Sequence, residues 1–134
     1  MKFKRIKIKN IRSYENAEVN LPSGSVLLSG DIGSGKTSIL LAIEFALFGL
    51  QPGQKGASLL KNGKDNGVVE LEFEIEGQNY IISRTLKRKK TIGQESATII
   101  VNGKTEEKSI TEMKNFILNL LNYPPEFAKK TNLL

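Results

Sequence analysis

No cysteine and no histidine occur among the 134 residues. The first absence excludes a disulfide framework and any thiolate metal site; the second removes imidazole acid–base chemistry and the usual zinc sites. Long hydrophobic runs are missing as well. The greasiest stretch, Ile39 to Leu50, is interrupted by Glu44 and is too short to span a bilayer. The opening MKFKRIKIKN alternates charge with apolar residues and has no continuous apolar core, so it does not read as a signal peptide. A soluble, intracellular chain with no membrane partner is expected.

What is present suits one globular domain with a modest core: 39% hydrophobic and 25% charged side chains. The formal net charge of +6 and a pI near 9.6 favour a polyanionic partner such as nucleic acid, because clustered Lys and Arg release counterions from phosphates; solubility alone is the other reading. No internal repeat or low-complexity segment occurs.

Along the chain, FKRIKIKN and AEVNL alternate as short strands, with IRSYEN as the turn between them. Pro22, Ser23 and Gly24 break the chain before SVLLSG, whose continuous apolar character suits a strand buried on both faces. From Lys36 to Phe48 nearly every residue is apolar, which predicts a helix buried all round and closed by Gly49 in a left-handed cap. Residues 51–67, rich in glycine and lysine, read as a long exposed loop. VVELEFEIEGQNYIISRTL predicts a hairpin with Val69, Leu71, Phe73 and Ile75 on one face and Glu70, Glu72, Glu74 and Glu76 on the other. A turn centred on Gly77 and Gln78 would pair Tyr80 with Ile75, Ile82 with Phe73, Arg84 with Leu71 and Leu86 with Val69. Arg84 then points to the apolar face and requires an anionic partner, a structural carboxylate or a phosphate. SATIIVNGKTEEK predicts a second hairpin on an Asn102-Gly103 type I′ turn. Ser109 and Glu112 form a capping box that opens a helix burying Ile110, Met113, Phe116, Ile117, Leu120 and Leu121. Pro124 and Pro125 begin a last helical turn, and the apolar end TNLL reads as a cut end.

Gly30-Asp-Ile-Gly-Ser-Gly-Lys36-Thr37 satisfies G-x-x-x-x-G-K-[ST] between an apolar strand and an apolar helix, the context a phosphate-binding loop requires. Glycines let successive backbone N–H groups converge on phosphates, and the helix N-terminus adds partial positive charge. Lys36 would reach the β and γ phosphates, and the Thr37 hydroxyl would ligate a bridging Mg²⁺. The motif defines a class and not a reaction. NGKD at 62–65 has the wrong order for a guanine-reading motif, and no second apolar strand ends in an acidic pair. The water-activating carboxylate is missing from this stretch of chain.

The run IKIKNIRSYENAEVNLPSGSVLLSGDIGSGKTSILLAIEFALFG resembles the opening of the SMC-like DNA-repair ATPases of the Rad-fifty type, which partner a double-strand-break nuclease. VVELEFEIEGQNYIISRTL and KNFILNLLNYPPEFAKK continue the resemblance in order. It implies that residues 1–134 are the N-terminal half of a split ATPase head, with the coiled coil and the C-terminal half lying outside this chain. The implied fold is α/β, a phosphate-loop NTPase of the ABC/SMC type with a mixed sheet around the phosphate-loop helix and an antiparallel β layer.

The resemblance also implies a site. ATP and Mg²⁺ would be the cofactors, with Arg12, Ile32, Gly33, Ser34, Gly35, Lys36, Thr37, Ser38, Leu60, Lys61 and Asn62 around the nucleotide and Thr37 on the metal. Ile32 stands where the family commonly has asparagine, and Leu41 where it often has aspartate, a change read as packing. Four consecutive cations, Lys87, Arg88, Lys89 and Lys90, with no acidic run nearby, are a candidate DNA contact; a solvated turn is the rival account. Expected partners are the C-terminal half, a second head in a homodimer, a nuclease subunit and double-stranded DNA, in a cytoplasmic, nucleoid-associated or nuclear setting. The chain alone is expected to bind nucleotide without hydrolysing it. A transporter-type or RecF-like ABC ATPase, and a nucleotide-locked structural joint without turnover, stand as alternatives.

Overall fold

The computed structural model describes residues 2–20, 36–50 and 55–121, with Lys36 and Thr37 described in backbone only. The SVLLSG strand, the glycines of the phosphate loop with Ile32 and Ser34, and the turn at Pro124 lie outside them. The described chain runs β1 (Lys2–Ile11), β2 (Tyr14–Asn20), α1 (Lys36–Phe48), β3 (Asn66–Ile75), β4 (Gln78–Arg88), β5 (Ile92–Gln94), β6 (Ala97–Val101), β7 (Lys104–Lys108) and α2 (Ile110–Leu120). The strands form one antiparallel sheet in the order β2-β1-β3-β4-β6-β7, with β5 pairing the far end of β4. Its long-range seam is β1 on β3, where Ile6 faces Leu71 and Ile8 faces Val69.

Alternation along the strands decides the two faces. Ile6, Ile8, Val69, Leu71, Phe73, Ile82, Leu86 and Ile99 are buried on one face, against which α1 and α2 pack. The opposite face is charged. Arg5 there reaches Glu72 at 3.2 Å and Glu70 and Glu18 at 3.4 Å. Burial opposes the Arg5 charge, but the hydrogen bond to Glu72 and the fields of Glu70, Glu72 and Glu18 together raise its pKa. A bulge between Phe3 and Arg5 interrupts the β1–β3 register, a feature that simple alternation does not reveal.

Several expectations need correction. The β3–β4 turn is Glu76-Gly77, with φ of 50° and 80°, the mirror-image turn that matches strand twist. The pairing therefore shifts to Phe73–Tyr80, Leu71–Ile82, Val69–Arg84 and Gly67–Leu86. Since each partner moves by two residues, every side chain keeps its face. The first turn is tighter than IRSYEN: Ile11 pairs Tyr14 around Arg12-Ser13. The α1 helix is not buried all round, because Leu40 is 37% exposed and Leu41 and Glu44 are half-buried. Leu41 packs against the core, as the packing reading of that position expects. In the 51–67 stretch, described from residue 55, Gly56, Leu59 and Leu60 are buried rather than exposed. On α2 the buried set is Met113, Ile117 and Leu118, with Phe116, Leu120 and Leu121 partly covered; Ile110 is 36% exposed, because the first helical residue projects beyond the sheet.

Other local readings hold. Asn102 and Gly103, at φ 54° and 76°, turn β6 into β7. Gly49 ends α1 at φ 75° with its N–H donating to the Phe45 carbonyl at 2.8 Å. Ser109 and Glu112 form the reciprocal box at the start of α2.

Candidate functional site

Two chain turns meet at one end of the sheet and make a cleft. After Ile11 the chain reverses through Arg12, held in the left-handed region at φ 54°. The Arg12 N–H donates to the Leu59 carbonyl at 2.7 Å, the Lys61 N–H donates to the Asn10 carbonyl at 2.9 Å, and Ile11 bridges Leu60. Buried Asn10, also at positive φ, donates its Nδ2 to the Asn66 carbonyl at 3.0 Å. The 55–66 segment is thus stitched to the end of β1. Gly67 makes that closeness possible: a Cβ there would sit 2.9 Å from the Asn10 carbonyl oxygen.

A single helical turn at Gly56–Ser58 forms the facing wall, fixed by the Ser58 hydroxyl donating to the Lys55 carbonyl at 2.7 Å. Behind it lies β5. A Cβ on Gly56 would stand 2.5 Å from the Ile92 carbonyl oxygen, so the wall rests directly on that strand's backbone.

The resulting cleft, about 460 Å³, is lined by Arg12, Ser13, Ser38, Ala57, Ser58, Leu60, Lys61 and Asn62. Of the residues expected around a nucleotide, Arg12, Ser38, Leu60, Lys61 and Asn62 are brought together here although they lie far apart in sequence. Ser38 comes from the first turn of α1 and is buried. The fold places Lys36 and Thr37 at the start of the same helix; Ile32, Gly33, Ser34 and Gly35 lie outside the described residues. Sequence reasoning missed Ser13, Ala57 and Ser58. Gly56 was the available signal for the last two, since a glycine before a small pair marks close backbone approach.

The cleft is electropositive. Arg12 Nη1 donates to the Ser58 carbonyl at 3.4 Å and Lys61 Nζ to the Ser13 carbonyl at 3.3 Å, both long bonds at exposed positions. Among the described residues neither cation has a carboxylate within ion-pair distance. A guanidinium and an ammonium beside a helix start suit an anion such as a phosphate chain. No cluster of three or more acidic residues that could hold a metal by itself exists among the described residues. A divalent ion here would depend on ligand oxygens and a hydroxyl.

The basic turn differs from expectation. Glu95 lies across it, 3.8 Å from Lys87 Nζ and 3.9 Å from Lys89 Nζ. Arg88 turns back, its Nε donating to the Lys64 carbonyl at 3.0 Å and its N–H to the Asp65 carbonyl at 2.8 Å. The acidic partner was overlooked because it belongs to no acidic run; the antiparallel return of β5 delivers it. Of the four cations, Lys90 alone has no such partner among the described residues.

Arg84 also departs from expectation. It is fully buried, and its partners are neither carboxylate nor phosphate but the Ala46 and Leu47 carbonyls at the end of α1, at 2.7 and 3.0 Å. Desolvation lowers its pKa to about 10. No described helix is long and apolar enough to cross a membrane.

The family model for the AAA domain matches residues 5–132. The chain is 34% identical over 113 residues to the DNA double-strand break repair Rad50 ATPase of Thermoplasma acidophilum, covering 84% of this chain and 13% of that protein. It is 35% identical over 122 residues to the Methanococcus maripaludis protein of the same name, covering 90% of this chain and 12% of the relative. The chain therefore spans about an eighth of the length of these relatives. Among solved structures, the recombination mediator protein RecF-ATPrS of the RecFOR pathway superposes with a TM-score of 0.58 at 21% identity, over 83% of this chain and 29% of that one. The SMC head domain from Thermotoga maritima gives 0.51 at 21% identity, over 87% and 42%. The fold is that of RecF and the SMC head domain, a phosphate-loop α/β architecture, and the chain belongs to the AAA domain family, with Rad50 ATPases among its relatives.

Proposed function

We propose that this chain is the nucleotide-binding part of a DNA-repair ATPase head, completed by a C-terminal half outside it. The observation that carries the reading is the cleft itself, where Arg12 and Lys61 flank the start of α1 with no carboxylate partner among the described residues. The residues fit ATP: cations and a helix N-terminus for the phosphates, Leu60 as an apolar surface and Asn62 as a hydrogen-bonding group for the remainder. Lys36 would hold the β and γ phosphates, and Ile32, Gly33, Ser34 and Gly35 would offer them backbone N–H groups. Mg²⁺, held by phosphate oxygens and the Thr37 hydroxyl, supplies neutralising charge when bound.

Such a head has one use for this half: to hold ATP so that a second head can close on it. Closure of a homodimer around two nucleotides, hydrolysis by groups of the completed head, and release then follow as a cycle. Double-stranded DNA and a nuclease subunit would be its partners, in a cytoplasmic, nucleoid-associated or nuclear setting; the double-strand break repair for which the Rad50 relatives are named supports the DNA part of that reading. The basic turn at Lys87–Lys90 is the candidate DNA contact, with Lys90 its one cation that has no partner among the described residues. Titrating Mg-ATP analogue into the chain and into Lys36→Ala and Arg12→Ala tests the reading. Binding in the micromolar range, reduced at least about tenfold by either change, supports it; unchanged affinity in both overturns it.

A further inference from the structure

The far end of α1 is gripped by side chains that the cleft does not account for. On β4, Arg84 lies fully buried and sends Nε to the Ala46 carbonyl and Nη2 to the Leu47 carbonyl, while Nη1 has no partner among the described residues. On β5, Gln94 Oε1 accepts the Leu50 N–H at 3.2 Å. Gly49 keeps the space between them open: a Cβ there would lie 2.4 Å from Gln94 Oε1 and 3.1 Å from Arg84 Nη1.

Among the described residues, Arg84 is the donor that the Ala46 and Leu47 carbonyls of the last turn find. Gly49 already ends α1 in the left-handed conformation with its own bond to the Phe45 carbonyl. A buried guanidinium without a carboxylate is costly, yet an apolar residue of similar length, though it would fill the same space, would leave both carbonyls without their donor. What a guanidinium offers, and an apolar chain does not, is a rigid fork with two donors fixed in direction. Two bonds to successive carbonyls set both the height and the rotation of the helix. From Ala46 to Ser38, the first-turn residue in the cleft, the helix runs about 12 Å. A packed helix of this length moves as a rod, so its anchor and its cleft end shift together.

We propose that Arg84, seconded by Gln94, is a positioning residue for the cleft, fixing the height and rotation of α1 so that its first turn is aimed at the bound anion. This rests on the nucleotide reading above. It assigns the apolar face of β4 and β5 a task beyond packing. Leu86 pairs Gln94 across these two strands, Lys87 and Arg88 pair Gly93 and Ile92, and residues 89–91 turn between them, so the strand pair that carries the basic residues is also the pair that grips the helix.

The test uses the 134-residue chain with Arg84→Met and Arg84→Lys, read by fluorescent ATP-analogue affinity, by urea midpoint, and by hydrogen exchange of the Leu40 to Ile43 amides. The expected result for Arg84→Met is a lowered midpoint in a chain still folded without urea, because both carbonyls lose their donor, with affinity reduced at least about tenfold and faster exchange extending to the start of α1. Arg84→Lys, which retains one donor, restores part of the affinity. Parent-like affinity in a folded Arg84→Met chain overturns the proposal, as does affinity that falls only in step with the midpoint in both variants. If Arg84→Met does not fold, Arg84→Lys decides: folded with parent affinity, it overturns the proposal, and folded with weakened affinity, it supports it. No nucleotide binding by the parent chain overturns this proposal and the nucleotide reading together, whereas binding by the parent with indifference to Arg84 overturns this proposal alone.

Discussion

Arg84 Nε lies 2.7 Å from the carbonyl oxygen of Ala46, a bond that joins the fourth strand to the last turn of the first helix across 38 residues of sequence. Truncating Arg84 to alanine leaves two carbonyls and a cavity in a dry interior. Arg84→Ala is expected to cost about 3 kcal/mol, read by urea denaturation, and Arg84→Met less, since it fills the cavity but leaves the same two carbonyls without a donor. Equal losses in both would show that the two hydrogen bonds, and not the filled volume, stabilise the fold.

Gly56 and Gly93 make a matched pair of substitutions. A Cβ at Gly56 would meet the Ile92 carbonyl oxygen at 2.5 Å, whereas one at Gly93 meets nothing within 4 Å. Gly56→Ala is expected to destabilise by about 2 kcal/mol or more and to weaken nucleotide binding, because the cleft wall must move off β5. Gly93→Ala should leave the thermal midpoint close to that of the parent. A calorimetric scan of both chains decides the matter.

Arg12 and Lys61 approach the cleft from opposite turns, each held only by a long bond to a carbonyl. Arg12→Ala and Lys61→Ala should each reduce Mg-ATP affinity about tenfold while barely changing stability. Because the two side chains line one cleft on bridged segments, the double variant should depart from additive loss by isothermal titration.

Acid should loosen the start of α2. The Ser109 backbone N–H donates to Glu112 Oε1 at 2.9 Å, and this bond, followed by the Ser109 side-chain bond, lowers the Glu112 pKa below its ordinary value of 4.5. With the folded pKa depressed, the contribution to stability is present above pH 4.5 and disappears as the pH falls through the folded value. Glu112→Gln should therefore flatten the acid limb of the midpoint-against-pH curve below about pH 5. An identical limb in both chains would assign acid sensitivity elsewhere.

On the basic turn, Glu95 competes with any polyanion for Lys87 and Lys89. Glu95→Gln should tighten double-stranded DNA binding, and Lys90→Gln should lower the log-log salt slope by about one unit. An unchanged slope in Lys90→Gln would return this turn to a solvated role.

The sequence declared its local features most clearly. Asn102-Gly103 and Ser109/Glu112 could be read directly because their chemistry is complete within four residues. Alternation also sorted Val69, Leu71 and Phe73 from the glutamates, and parity kept Arg84 on the apolar face despite the misplaced turn. The turn itself was misread because Glu76 accepts a left-handed conformation that its residue type does not advertise. Partners supplied by distant backbone were illegible in principle. The Ala46 and Leu47 carbonyls that satisfy Arg84 carry no side-chain signature, and Glu95 reaches Lys87 only once β5 has folded back. At the cleft, Arg12, Leu60, Lys61 and Asn62 were legible through family resemblance. Their meeting depends on Gly67 approaching Asn10, a tertiary closeness visible only in three dimensions.

The anchoring of α1 from β4 and β5 also sets an order of events during synthesis. Ribosomes deliver residues 36–48 well before Arg84 and Gln94, so the nascent helix emerges with its last carbonyls unclaimed and most of its apolar surface without a sheet to cover it. Its lasting placement must await the β3–β4 hairpin. Chains stalled before residue 84 leaves the exit tunnel should therefore expose α1 to protease, and those stalled after residue 94 has emerged should protect it.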